Sequence, residues 1–209
     1  MTTATRTRLS IFPLSGAVLF PRSTLPLHIF EPRYRALVSD ALARDRRIAM
    51  IQPRTEGLVP ELYEVGCVGH IQHVEALDDG RFNLVLEGVS RFRMLGEISA
   101  ATPFRQIEAD LTAFDDAAPE TLPLILRADF EREAKRFCEA RSILVNWEAL
   151  GMMDDEGLIN GSAQIGPFDP AAKQALLEAP TLAERTELMV QLLHFYRDLD
   201  DDSDTATLQ

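Results

Sequence analysis

Lysine is nearly absent from this chain: Lys135 and Lys173 are its only two. A nucleotide-cradling P-loop needs a lysine behind a glycine-rich turn, and neither lysine follows a glycine. GxGxxG and GxSxG are missing as well, which removes the dinucleotide fingerprint and the hydrolase nucleophile elbow. Cysteine is equally scarce. Cys67 and Cys138 share no CxxC spacing and read as buried small hydrophobes in a reducing compartment. The opening MTTATRTRLS lacks the apolar core of a secretion signal. No run approaches the roughly 18 apolar residues of a membrane span. A soluble cytoplasmic protein without a membrane partner is expected.

What is present is an uneven charge. The net is −12, yet residues 1–108 carry 13 basic and 12 acidic side chains while residues 109–209 carry 8 and 21. A neutral half followed by an acidic half suggests two structural units. Apolar content of 46% and charged content of 26% suit an ordinary globular chain with its own core. An acidic chain is a poor binder of polyanions.

The first half reads as short strands broken by turn residues: Leu9–Leu14, Ala17–Phe20, Leu25–Phe30, Arg47–Gln52, Val65–Val74, Phe82–Glu87, Phe92–Ile98 and Phe104–Asp110. Asp79-Gly80 signals a type I′ hairpin turn, and Gly88 punctuates between two strands. One helix interrupts them. Pro32 suits its first position, and Tyr34, Leu37, Val38, Ala41 and Leu42 follow at helical spacing. Many short strands with one inserted helix suggest a small barrel. The second half changes period. Leu126, Phe130, Ala134 and Phe137 mark an amphipathic helix, Asp169-Pro170 opens another, and Thr181 with Glu184 forms a capping box for a last helix that turns Met189, Leu193 and Tyr196 inward. The expected division is a barrel over 1–114, a helical subdomain over 115–198 and an acidic disordered tail over 199–209.

No catalytic or metal constellation emerges. Cys67, His70 and His73 tempt as ligands, but on a regular strand His70 faces away from the other two, and Cys67 and His73 lie roughly 20 Å apart at ~3.3 Å per residue. Strand histidines are the better reading. Asp154, Asp155 and Glu156 suit a helix N-terminus rather than an acid/base pair. Lys135 and Lys173 both look solvated, so no Ser–Lys dyad is expected. No cofactor is implied.

Several segments in order resemble one family. IFPLSGAVLFPRSTLPLHIFEPRYRALVSDAL resembles the opening of the N-terminal substrate-binding domain of Lon proteases, and VGCVGHIQHVEALDDGRFNLVLEGVSRFR its central hairpin, with Glu87, Gly88 and Arg91 in the E-G-x-x-R turn. DPAAKQALLEAPTLAERTELMVQLL is similar to its helical segment, through Lys173, Gln174, Leu176, Leu177, Glu178 and Arg185. The resemblance spans roughly residues 9–197. It implies an α+β fold, a PUA-like small β-barrel followed by a C-terminal α-helical bundle. It also implies a stand-alone member without the ATPase and peptidase domains, hence no enzyme, and a partner that is unfolded or damaged polypeptide, with an adaptor role in proteolysis or quality control.

Within that expectation the peptide-contacting candidates are Phe20, Phe30, Tyr34, Leu62 and Tyr63. Phe30 and Tyr34 can equally pin the helix to the barrel, with Glu31 and Arg33 satisfying each other, and Glu87 and Arg91 read as a turn-fixing pair. Two other functions remain open. A patch of Arg44, Arg46, Arg47, Arg91 and Arg93 would suit RNA, and a pocket between barrel and bundle would suit a small molecule.

Overall fold

Six strands and one helix build the first half: β1 (Arg6–Pro13), β2 (Thr24–Ile29), α1 (Pro32–Leu42), β3 (Arg47–Pro53), β4 (Leu62–Ala76), β5 (Phe82–Ile98) and β6 (Gln106–Asp110). They belong to a computed structural model that describes residues 6–57 and 59–205, with side chains as far as Arg197. The strand order is β2-β5-β4-β3-β1-β6, and β6 also pairs with β5. β1, β3, β4, β5 and β6 therefore close a ring, from which β2 extends as an edge on β5. Only β1 and β3 run parallel. A parallel pair needs a crossover connection, and the stretch through β2 and α1 supplies it. α1 buries Tyr34, Leu37, Val38 and Ala41, the stripe its spacing predicts. Leu9, Ile11, Ala49, Ile51, Val68, Phe92 and Ile107 form a core shared by all five ring strands.

Three local expectations need correction. Ala17–Phe20 is no strand. Val18, Leu19 and Phe20 are buried, and the segment lies across β4 and β5 instead of joining the ladder. Gly88 does not break a strand, since β5 runs through it unbroken. A Cβ there would stand 1.9 Å from the Phe20 carbonyl oxygen, so glycine is what lets the crossing segment approach. Gly88 exchanges backbone bonds with that segment, donating to Ser23 and accepting from Arg22 at 2.9 and 2.7 Å. Asp79-Gly80 does turn the chain, but only Gly80 takes a positive φ, at 79°. Leu77 pairs with both Gly80 and Arg81, which makes a three-residue loop ending in a glycine bulge rather than a type I′ turn.

Bulges also rearrange the faces of the long hairpin. Val68 pairs Ser90 while Gly69 pairs Gly88, so Val89 is an extra residue in β5. A regular strand would put Glu87 and Arg91 on one face; the extra residue puts them on opposite faces. They therefore form no pair, contrary to expectation. Gln72 is likewise extra in β4, so His73 shares a face with His70 and not with Cys67.

Arg91 finds Asp116 instead. Its side chain is 1% exposed and that of Asp116 5%. Nε and Nη2 both donate to the carboxylate, at 3.1 and 2.8 Å to Oδ1, and the Arg91 backbone N–H donates to Oδ2 at 2.6 Å. Phe114 lies beneath the guanidinium at 4.3 Å. Arg22 also donates to the Asp116 carbonyl. The first compact unit accordingly runs Met1–Ala118, and the second Pro119–Gln209, where the expected boundary followed residue 114.

The second unit is helical: α2 (Leu124–Ala140), α3 (Trp147–Gly151), α4 (Asp155–Ile165), α5 (Pro170–Glu178) and α6 (Leu182–Thr205). Its caps are those written in the chain. Asp154 accepts from Gly157 N–H and Asp169 from Ala172 N–H. Thr181 and Glu184 bond reciprocally, each accepting from the other's backbone N–H. Arg185 ties the helices together, donating to the Leu176 carbonyl of α5 at 2.9 Å and to Asn160 of α4 at 2.7 Å. Lys173 is half-buried, not solvated; its ammonium donates to the Gln164 carbonyl at 2.8 Å, and burial lowers its pKa. The acidic tail expected from 199 falls beyond the last described side chain, and residues 206–209 lie outside the described residues.

Removing one partner of a buried ion pair leaves an uncompensated charge. Asp116→Ala should therefore lower the stability of the first unit by about 3–5 kcal/mol, whereas Arg91→Met with Asp116→Leu should cost less than half as much. Urea unfolding of the full chain measures both.

Candidate functional site

The five sequence candidates divide sharply. Phe20 is 0% exposed and Tyr34 and Leu62 are buried, so none of these three presents a surface. Phe20 is held under the crossing of β5. Tyr34 packs edge-on against Phe12, ring centres 4.3 Å apart, with Arg33 above it. Arg33 pairs Glu31 at 2.9 Å as expected. Tyr63 is half-buried. Phe30 alone is freely exposed, at 61%, beside His28 rather than against the helix. The arginine patch comes together only in part, with Arg44 and Arg47 lining one cleft beside Arg8. Arg91 is buried on Asp116, Arg44 pairs Asp40, Arg93 pairs Glu64, and Arg46 donates to the Ile71 carbonyl.

An open cavity of ≈ 910 Å³ lies wholly within the helical unit. α2 supplies one wall through Phe130 and Phe137, seven residues apart and therefore on one helix face. Met189 and Leu193 of α6 also line it, with Ile143–Trp147, Leu150, Met153, Leu158, Ile165 and Phe168. Its rim is open and apolar: Leu144 is 99% exposed and Ile165 84%. Large exposed aliphatic side chains clustered on one cavity mark an interaction surface. Among the described residues no group of three His, Cys, Asp or Glu is placed to hold a metal ion.

Polar groups tie the helices of this unit together. Asp169, the cap of α5, accepts from the Tyr196 hydroxyl at 2.6 Å; that bond lowers the Asp169 pKa, while burial and the same bond raise that of Tyr196. Tyr196 in turn packs edge-on against Phe168 of the lining. Arg127 joins Glu131 and Asp155 at 2.8 and 2.7 Å, fixing α2 to the start of α4. Glu133, 2% exposed, takes Arg132, Arg136 and Arg197 at 2.9, 2.8 and 3.4 Å, with His194 at 3.3 Å. Burial raises the Glu133 pKa, but the Arg132 hydrogen bond and the Arg136 and His194 charges outweigh it and hold the carboxyl low.

The sequence reading passed over this groove. Its one signal was ILVNWEALGMM at 143–153, a run of large apolar residues in a stretch with no clear helical period. Such a run reads equally as core, and only the fold shows Leu144 and Met152 exposed.

Because Glu133 is depressed in the folded state, its stabilising contribution is full above the unfolded carboxyl pKa of ~4.3 and is lost as pH falls through the lower folded value. The urea midpoint of the full chain should exceed that of Glu133→Gln at pH ~5, and the gap should narrow by pH ~3.

The family model of the ATP-dependent protease La (LON) substrate-binding domain matches residues 8–194. Lon protease 2 of Sorangium cellulosum is 34% identical over 206 residues, covering 88% of this chain and 24% of that protein. Lon protease 2 of Herpetosiphon aurantiacus is 26% identical over 189 residues, covering 87% and 23%. The chain thus spans about a quarter of the length of these curated relatives. Two solved structures share the fold, each with a TM-score of 0.66 over 90% of this chain and 98% of the other: the N-terminal domain of Mycobacterium avium complex Lon protease, 17% identical, and a Lon N-terminal domain protein from Xanthomonas campestris, 22% identical. No described helix is long and apolar enough to cross a membrane. On the family match over nearly its whole length, this chain belongs to the Lon substrate-binding domain family.

Proposed function

We propose that this chain is a non-catalytic module that binds unfolded polypeptide segments, and that the apolar groove of its helical unit receives them. The observation that carries this is the groove itself, ≈ 910 Å³ and predominantly apolar, with Leu144 and Ile165 standing open at its rim. A closed ligand pocket would cover such side chains, whereas an extended chain can lie across them. Family membership supports the substrate-binding role, and presentation of clients to a protease or chaperone is its natural use. The closed ring of strands supports a PUA-like barrel for the first unit. RNA is disfavoured by the net charge of −12 and by arginines already engaged in ion pairs.

Fluorescence anisotropy with a reduced, unfolded model protein tests this. Burying Leu144 and Ile165 against a client would contribute about tenfold each in affinity. Leu144→Ser with Ile165→Ser should weaken binding by at least tenfold and leave the melting temperature nearly unchanged. Binding of the wild-type chain should persist at ~200 mM salt, where contacts to several RNA phosphates would have lost most of their affinity. If Phe30→Ser abolishes binding and the groove variant does not, the site belongs to the first unit. Purified chain should neither hydrolyse ATP nor cleave casein above a buffer control.

A further inference from the structure

We infer that Met152 and Met153 form a peroxide-oxidised pair, and that their conversion to sulfoxides lowers the affinity of the groove for its client. The loss of affinity rests on the groove being the polypeptide site; the oxidation does not. Met152 caps the end of α3, and Met153 follows it, directly before the Asp154 cap of α4. Their side chains are 86% and 38% exposed, and Met153 lines the groove. A Cβ added at Gly157 would stand 3.3 Å from the Met153 methyl, so the thioether end itself lies against the α4 side of the lining. The other described methionines are shielded: Met50 and Met189 are buried, and Met94 packs on the core of the first unit. An oxidant in solution therefore meets two adjacent thioethers first.

The cysteines do not compete. Cys67 is buried. Cys138 lines the same groove, but burial raises its pKa and keeps it a thiol at neutral pH, whereas the thiolate is the reactive form. The backbone under the methionine pair is held without help from the sulfur atoms. Arg127 of α2 donates to the Gly151 and Met153 carbonyls at 3.3 and 3.1 Å, and the Met152 and Met153 N–H groups close the end of α3 on Ala149 and Leu150. Oxidation thus alters the surface of this turn and leaves its fold. The sulfur lone pair attacks one oxygen of hydrogen peroxide; an S–O bond forms, the O–O bond breaks, and the second oxygen leaves as water with the proton of the first. The thioether loses two electrons and the peroxide gains them. Methionine sulfoxide reductases reverse the step, releasing the oxygen as water while two thiols become a disulfide. A flexible apolar side chain becomes a polar one, and an apolar client covering it leaves the new oxygen without a hydrogen bond.

Dilute hydrogen peroxide applied to the full chain, with peptide mass mapping, reads the oxidation. Fluorescence anisotropy with a reduced, unfolded model protein, added after catalase has removed the peroxide, reads the affinity. Met152 and Met153 should each gain one oxygen before Met50 or Met189 does. Affinity should then fall about tenfold, as for a buried polar group left without a partner, with the melting temperature nearly unchanged. Methionine sulfoxide reductases should restore it, and dithiothreitol alone should not. Met152→Leu with Met153→Leu should bind as the wild type does and lose the response, whereas Met152→Gln with Met153→Gln should bind weakly without peroxide. Oxidation of Met50 or Met189 as fast as the pair, unchanged affinity after full oxidation of the pair, or a response that survives in the leucine variant would each overturn the inference. If affinity survives oxidation but falls in Leu144→Ser/Ile165→Ser, the groove stands as the polypeptide site and only the switch fails. If neither change weakens binding, both fail.

Discussion

A charge removed from water costs several kcal/mol unless a partner with good geometry sits against it, and each unit of this protein is organised around such a burial. In the first, Arg91 is enclosed by Asp116 and Phe114, residues that follow the last strand of the ring. The pair draws 114–116 back onto β5 and so decides where the unit ends. In the second, Glu133 gathers arginines from its own helix and from α6. That gathering fixes α2 against α6. One constraint thus produces a boundary in one unit and a helix-to-helix fastening in the other.

Backbone packing supplies the second condition. The Ala17–Phe20 segment crosses β5 so closely that no side chain fits at Gly88. The bulge at Val89 sits next to that contact and rotates everything after it by one face. Arg91 turns inward as a result. The E-G-x-x-R element is therefore a crossing point and a buried strut, with Glu87 left exposed on the other face. Likewise the KQ-x-LLE element and Arg185 are helix-to-helix fastening: Leu176 and Leu177 are buried and Arg185 closes the end of α5.

What remains for binding is the surface these fastenings do not consume. The 143–153 stretch keeps Leu144 and Met152 in solvent although its neighbours Trp147 and Leu150 are partly covered. Folding alone would favour covering such side chains at roughly 25 cal/mol per Å² of apolar area. The exposure of Leu144 at the cavity rim is what motivates the proposed polypeptide site.

The sequence by itself determined the features whose code is local. The stripe of α1, the caps Asp154 and Asp169, the Thr181–Glu184 box and the Phe130–Phe137 face were all legible, because capping and helical periodicity act within four to seven neighbouring residues. The family was legible too, from segments in order. Tertiary structure alone decided the rest. A bulge at Val89 or Gln72 leaves no mark in a strand's composition, yet it moves Arg91 and His73 to new faces. The partner of Arg91 lies 25 residues away, and alternation cannot tell which carboxylate a buried guanidinium will meet. Phe20 looked like an exposed edge and is buried, and the exposure of Leu144 had no mark in the sequence reading. Hydrophobicity states that a side chain favours leaving water; only the packing of distant segments settles which side chains are covered.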